Sequence, residues 1–396
     1  MPSQPRSLLY SIAAGIGGTG LDQVAAETLE IAIQRDFLGR AIAYSPTIRD
    51  PKSRIRNLSR HPVKLLSPLS RDYYVGAKKH TVDRATVREL ATGRHDLLHT
   101  WSGDCVRSLR LARELGIPSV LEIPTWHRNK GKVKKDITWS EIQRDAARFP
   151  QSVLNRLLVT RQRVMEEYSL ATLILVLSEK AKETFLIAGL PDEKLFLTSR
   201  GVDPEAFAPA ENPPDKFRAV FVGSLSKRKG AHHLLEAWKR LALPVDEAEL
   251  VLVGSPSAEL APALAEVPPN VILRGQVKDV AAELRRATLH VFPSECEGSA
   301  KVTYEASACG LPQITTREAG DVVIHEQTGL IIPPNDVDAL IDALRTLHAD
   351  PVRAQAFGHA ARQRVVENFT WDHYRQRVLA AYDQALARSS ELRVES

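Results

Sequence analysis

Cysteine is scarce in this chain. Three residues, Cys105, Cys296 and Cys309, are scattered through 396. That number and spacing exclude a disulfide framework and a cysteine-based zinc site, and they suit a reducing compartment. Long hydrophobic runs are missing too. No stretch of about 18 apolar residues occurs, so no membrane-spanning helix is expected. The N-terminal segment MPSQPRSLLYSIAAGIGG holds one Arg and a short apolar run that feeds a glycine loop. It reads as a first strand and not as a secretory leader. No nucleic-acid-binding motif is present, so nucleic acid is not an expected partner.

The composition that remains is that of a soluble globular protein, 43% hydrophobic and 26% charged. The length exceeds one ordinary core and fits two domains of usual size. Charge is uneven between the halves. Residues 1–200 hold 32 Lys+Arg against 21 Asp+Glu, whereas residues 201–396 hold 21 against 27. The basic half calls for an anionic partner, such as an acidic glycan, a lipid phosphate or a membrane surface. Within residues 49–94, Lys52, Arg54, Arg56, Arg60 and Lys64 fall close together, with Tyr73 and Tyr74 beyond. A second cluster, Arg128 to Lys135, follows Trp126-His127. A solvated face and an acceptor or membrane contact are both open readings of such runs.

Strand-like and helix-like segments alternate along both halves. Ser7–Ala14 reads as a strand, followed by Gly15-Ile16-Gly17-Gly18-Thr19-Gly20 and a helix with Leu21, Val24, Ala25, Leu29 and Ala32 on one face. The glycines satisfy the dinucleotide spacing Gly-x-Gly-x-x-Gly. That fingerprint also requires an acid closing the second strand. Here the strand near Ala41–Ser45 runs into Pro46, which disfavours a nicotinamide dinucleotide. A tight turn without a ligand is the alternative. Strands are expected again at Leu97–Thr100, Ser119–Ile123, Leu173–Leu177, Ala219–Val222, Glu249–Val253 and Val271–Leu273. His99 reads as a core or strand-end residue.

The most informative stretch is residues 288–316, TLHVFPSECEGSAKVTYEASACGLPQITT. It reads as strand, loop, helix and strand. Pro293 breaks the first strand, and Gly310 with Pro312 stops the helix. Glu297 lies in the loop and Glu305 inside the helix, eight positions later. A helix N-terminus offers unpaired N–H groups to an anion such as phosphate. Carboxylates only accept hydrogen bonds and so suit sugar hydroxyls. Phosphate flanked by sugars describes a nucleotide-sugar.

The segment PSECEGSAK…EA…CGLP resembles the Glu-x7-Glu signature of the retaining GT-B glycosyltransferases, in particular glycosyltransferase family four. Further segments are similar to that family: PTWH at 124–127, RGVD with Phe207, the loop GSLSKRKG at 223–230, Gly275-Gln276-Val277, and AGDVVIHEQTGLIIP at 319–333. The resemblance implies an α/β GT-B fold, with two Rossmann-like domains facing each other across a cleft. It places the first domain at 1–200, a linker near 200–216, the donor domain at 201–371, and a last helix, about 372–396, crossing back to the first domain.

The resemblance also implies roles. Glu305 would hold the donor ribose and Glu297 the donor-sugar hydroxyls. Arg228 and Lys229 would meet the diphosphate, together with Gly298, Ser299, Ala300, Lys301 and Val302 around the helix tip. Gly17 and Gly18 would face donor and acceptor, and His127 would bond the donor sugar. Many relatives carry Arg where this chain has Ser224, so Arg228 stands in for that cation. Ala300 and Lys301 also depart from the usual Gly and aliphatic residue. No Asp-x-Asp pair stands in a suitable loop, which argues against a metal-dependent GT-A enzyme. The expected activity is transfer of a hexose from a nucleoside diphosphate sugar, with retention and no metal or cofactor. The acceptor would be a glycan, lipid or small molecule, anionic if the basic half binds it. The expected location is the cytoplasm, with peripheral contact at the inner membrane face open to the basic half. Two alternatives remain: a non-catalytic nucleotide-sugar-binding partner, and a GT-B epimerase or donor hydrolase.

Overall fold

The computed structural model describes residues 6–18, 20–59, 61, 71–103, 105–126, 161–211, 214 and 216–394. They form two compact units. The first comprises residues up to Val176, Lys182–Thr198 and the chain from Arg375. The second comprises Leu177–Ala181 and Ser199–Tyr374.

The first unit holds a parallel sheet of seven strands: β1 Leu8–Ser11, β2 Leu38–Ala43, β3 Ile55–Asn57, β4 Leu97–Trp101, β5 Ser119–Glu122, β6 Leu173–Val176 and β7 Leu195–Leu197. Their order is β3-β2-β1-β4-β5-β6-β7. The second holds six parallel strands: β8 Phe217–Val222, β9 Ala248–Val253, β10 Val271–Gly275, β11 Leu289–Phe292, β12 Gln313–Thr315 and β13 Gly329–Ile331. Their order is β10-β9-β8-β11-β12-β13. Parallel strands are covered on both faces, which is why LILV, AVFV and LVLV read as unbroken apolar runs. β1 is shorter than its sequence expectation, because the chain after Ser11 already turns toward the glycine loop, and β2 begins and ends earlier than its own.

In each sheet the strand order reverses at one place, between β1 and β4 and between β8 and β11. Ligands of open α/β sheets lie off the carboxyl ends of strands at such a reversal. The glycine loop follows β1. The Gly223-Ser224 loop follows β8 and Pro293 follows β11. Several helices elsewhere in the second unit begin with a side-chain cap. Asp279, Asp336 and Asp350 each accept from an amide three residues on, at 2.9 Å, a device worth about 1 kcal/mol each. Helices Leu21–Gln34, Ala231–Leu241 and Lys301–Ala308 follow the loops at the strand reversals and have no side-chain cap.

The segment expected as an interdomain linker packs within the second unit from its start. Val202 donates to the Phe369 carbonyl at 2.9 Å. A Cβ on Gly201 would stand 2.4 Å from the Trp371 ring. The last helix, Trp371–Val394, contributes its residues from Arg375 onward to the first unit. Arg375 pairs there with Glu27 and Glu30, and Arg377 Nε donates to the Thr198 carbonyl at 2.6 Å. No described helix is long and apolar enough to cross a membrane.

A polar network lies in the centre of the first unit. The Tyr382 hydroxyl is 2.7 Å from His99 Nδ1, and His99 Nε2 is 3.2 Å from Glu122. Trp101 Nε1 donates to the Tyr10 hydroxyl at 2.8 Å. All five side chains are buried. Burial, then the Glu122 charge, pushes both tyrosine pKa values well above the usual phenol range. Removing one member of such a network leaves a buried group unsatisfied, at a cost of about 1–3 kcal/mol. Tyr382→Phe is therefore expected to lower stability by about that amount. Chemical denaturation checks it, and an unchanged urea midpoint would show that the hydroxyl contributes nothing.

Candidate functional site

β11 is fully buried and ends at Phe292, just before Pro293. The following loop, 293–300, is gripped from both sides. On one side, Glu295 N–H and the Ser294 hydroxyl both donate to the Arg228 carbonyl, at 2.9 and 3.2 Å. On the other, Glu297 N–H donates to the Glu318 carbonyl at 3.0 Å and Ala300 N–H to the Ala319 carbonyl at 2.7 Å. Both grips need glycine. A Cβ on Gly230, at φ +72°, would stand 2.0 Å from the Pro293 carbonyl oxygen; one on Gly320, at φ +120°, would stand 2.6 Å from Ser299 Oγ.

The helix Lys301–Ala308 is fixed from behind. Gln313 Nε2 donates to the Thr303 carbonyl at 2.7 Å and to Ser307 Oγ at 2.6 Å. Its Oε1 is 2.9 Å from His290 Nδ1. Burial lowers the His290 pKa to about 4, so this ring stays neutral near pH 7. The front of the helix is open to hydrogen bonding. Among the described residues, nothing accepts from the amide N–H groups of Lys301 and Val302.

The charged side chains expected from the sequence converge in this unit. Glu297 Oε1 lies 2.8 Å from Arg228 Nη1 and 3.3 Å from Lys229 Nζ. Arg228 Nη1 also donates to the Cys296 carbonyl at 2.5 Å. Lys229 Nζ sits 5.0 Å from the centre of the Phe292 ring, a cation–π distance. One turn into the helix, Glu305, 5% exposed, takes Lys301 Nζ at 2.8 Å. Two anions and three cations therefore gather around one loop and one helix tip.

This arrangement refines the expected roles. Both cations expected at a diphosphate share the Glu297 carboxylate. Lys301, expected near the diphosphate, has its ammonium on Glu305, because residues four apart share a helix face. Ser299 is buried, its hydroxyl 2.7 Å from the Tyr304 hydroxyl, so its side chain is committed to the fold. Ala300 and Val302 are buried as well, which leaves them their backbone. Ser224 is exposed at the end of β8 and carries no charge; the guanidinium nearby in sequence is that of Arg228.

Sequence reading missed two anchors. Ser178 Oγ donates to the Gly298 carbonyl at 2.7 Å, and Arg200 Nε donates to the Ser299 carbonyl at 2.7 Å. Both come from more than 90 residues upstream, and neither was singled out from the sequence.

In the first unit, Gly17 and Gly18 have φ of +89° and +117°, and a Cβ on Gly17 would stand 2.1 Å from Thr47 Oγ1. Thr47 N–H donates to the Ile16 carbonyl at 2.8 Å. Asp22, in the first turn of the next helix, reaches beneath Gly15. That acid opposes the dipole that a pyrophosphate would use at this helix. His127 lies outside the described residues, as do Arg60, Lys64 and the cluster 128–135. Part of the basic run is neutralised internally. Lys52 pairs with Asp36 at 2.6 Å, and Arg54 pairs with Asp50 at 2.8 Å. The Arg54 hydrogen bond holds the Asp50 carboxyl down at about 2.

Residues 216–350 match the family described as Glycosyl transferases group 1. The capsular polysaccharide biosynthesis glycosyltransferase CapM of Staphylococcus aureus is 28% identical over 50% of this chain and 58% of its own length. The α-maltose-1-phosphate synthase of Mycolicibacterium smegmatis is 29% identical over 50% of this chain and 59% of its own. The match thus spans about three fifths of the length of these two relatives. The D-inositol 3-phosphate glycosyltransferase of Pseudarthrobacter chlorophenolicus is 25% identical over 92% of this chain and 89% of its own. Among solved structures, Anabaena Alr3699/HepE in complex with UDP superposes with TM-score 0.66 at 16% identity, covering 94% of this chain and 98% of that one. Sucrose-phosphate synthase from Thermosynechococcus elongatus gives TM-score 0.66 at 21% identity, covering 96% and 99%. Residues 216–350 therefore match a glycosyl transferases group 1 domain, and the chain is built on the GT-B glycosyltransferase fold.

Proposed function

We propose that the protein transfers a hexose from a nucleoside diphosphate sugar to an acceptor, with retention at the anomeric carbon and without a metal in the transfer step. The observation that supports this is the meeting of Arg228, Lys229 and Glu297 beside the uncapped start of the helix that carries Glu305.

Cleaving a glycosidic bond to a diphosphate builds negative charge on the departing phosphate. Preorganised donors aimed at that charge lower the barrier. Arg228 and Lys229 supply cations, and the amides of Lys301 and Val302 supply N–H groups at the positive end of a helix. Arg and Lys compensate the charge without a metal. Glu297 keeps both cations in place, and donor binding exchanges that carboxylate for phosphate oxygens, freeing it for sugar hydroxyls. Glu305, buried and acceptor-only, suits the two hydroxyls of a ribose. The departing phosphate takes the acceptor proton. His127 and the Gly17-Gly18 loop keep their proposed roles toward the donor sugar and the acceptor.

The names of similar proteins suggest classes for the substrates. One relative is named for D-inositol 3-phosphate and another for dependence on GDP-mannose. One structural neighbour is described with UDP and glucose. The proposed acceptor is accordingly a phosphorylated or otherwise anionic hydroxyl compound, held by the basic first half. The proposed location is the cytoplasm, with the inner membrane face accessible to those cations.

Two measurements test this reading. A thermal-shift panel of UDP, GDP, ADP and their sugars should single out one nucleotide family, since a ligand at 100 times its Kd stabilises the fold by about 2.7 kcal/mol. No shift with any of them would remove the donor assignment. Lys229→Ala and Glu305→Ala should each lower kcat about a hundredfold, the scale of losing one charge-stabilising group. Wild-type turnover by either variant would show that its side chain has no part in transfer.

A further inference from the structure

The loop that carries Glu297 also carries a second cluster. His232 and His233 lie in the first turn of the helix Ala231–Leu241, and Glu295 stands two residues before Glu297. One ligand-capable atom from each of these three side chains lies within 4.8 Å of the other two. The imidazole rings face each other, with centroids 3.7 Å apart.

The protonation pattern follows from a fourth residue. His233 Nε2 is 3.0 Å from Asn335 Oδ1. An amide oxygen only accepts, so Nε2 carries the proton and Nδ1 carries the lone pair. His233 Nδ1 is closed off from solvent and has no hydrogen-bond partner among the described residues; the same holds for His232 Nδ1. An orphaned buried polar atom costs about 1–3 kcal/mol, so two side by side need an explanation. The Glu295 side chain has no ion pair among the described residues, while its backbone N–H is bonded to the Arg228 carbonyl. Arg228 is itself occupied by Glu297 and the Cys296 carbonyl.

We propose that His232, His233 and Glu295 form a binding site for a divalent transition-metal ion, with Asn335 as the outer residue that fixes the His233 ring. Two imidazoles and one carboxylate without a thiolate suit zinc and its neighbours, and water completes the coordination. Magnesium prefers an all-oxygen shell and is not expected to compete. All three side chains are half-buried. A bound ion ties the first turn of the helix Ala231–Leu241 to the loop 293–300. Its role is to stiffen the Arg228 and Glu297 supports, and it takes no part in sugar transfer. The site stands whether or not the glycosyl transfer reading does.

Isothermal titration of the untagged full chain with zinc chloride tests it, with magnesium chloride as control. The wild type should bind one equivalent of zinc tightly and show no magnesium heat. The double variant His233→Ala/Glu295→Gln should lose that event. Asn335→Gly should weaken it about ten- to a hundredfold, the usual effect of removing an outer partner. Glycine is chosen because Asn335 has φ +63°. Cobalt in place of zinc should give a visible absorption band in the wild type that the double variant lacks. Circular dichroism checks the fold of each protein, and if the double variant is unfolded, Asn335→Gly decides. Zinc affinity unchanged in the folded variants, no zinc binding by the wild type, or equal binding of magnesium would overturn the proposal.

Discussion

The Glu297 carboxylate is shared by two cations from another loop, and most of the second unit's functional geometry depends on that arrangement. Left exposed, such pairs are each worth about 1 kcal/mol or less. Here the carboxylate and Lys229 are mostly buried, and backbone bonds to the Arg228 carbonyl and the close approach at Gly230 hold the two loops together. The ion pairs therefore fix side-chain direction within a frame that glycine and backbone bonds already set. Lys229 gains further from the Phe292 ring beneath it, which belongs to the strand that launches the loop.

That frame has a rigid back and an open front. Behind the helix Lys301–Ala308, Gln313 is bonded on three sides, and a neutral His290 completes the contact. In front, the first amides lack partners within the fold, and Ala300 offers no capping oxygen. A helix elsewhere in the unit, such as the one beginning after Asp336, closes its own amides with a side chain. The difference is one of sequence: an aspartate at one cap position and an alanine at the other. It separates helices that only stabilise from one that can receive an anion.

The strand and helix alternation was legible because parallel strands leave apolar runs and helices leave a periodic face. The pair Glu297 and Glu305, and the Arg228-Lys229 loop, were legible because strand, loop and helix follow one another within one stretch. The pairing of Lys301 with Glu305 was also within reach, since the residues stand four apart on a helix. What sequence reading could not supply were contacts across long separations. Ser178 and Arg200 hold the backbone of Gly298 and Ser299, yet nothing in their own neighbourhoods points there. The internal pairing within the basic run was hidden for a related reason. Asp36 lies well upstream of the cations, and the fold returns it to Lys52 and Arg54.

Gly230 and Gly320 bear on how this protein could be altered. Each touches the loop 293–300 from an opposite side at a distance no side chain tolerates. The three segments 226–230, 293–300 and 316–320 therefore form one interlocked part, although they are far apart in the chain. A graft of the central segment from a relative would arrive without its matching walls. Engineers seeking a different sugar would do better to transplant all three pieces together.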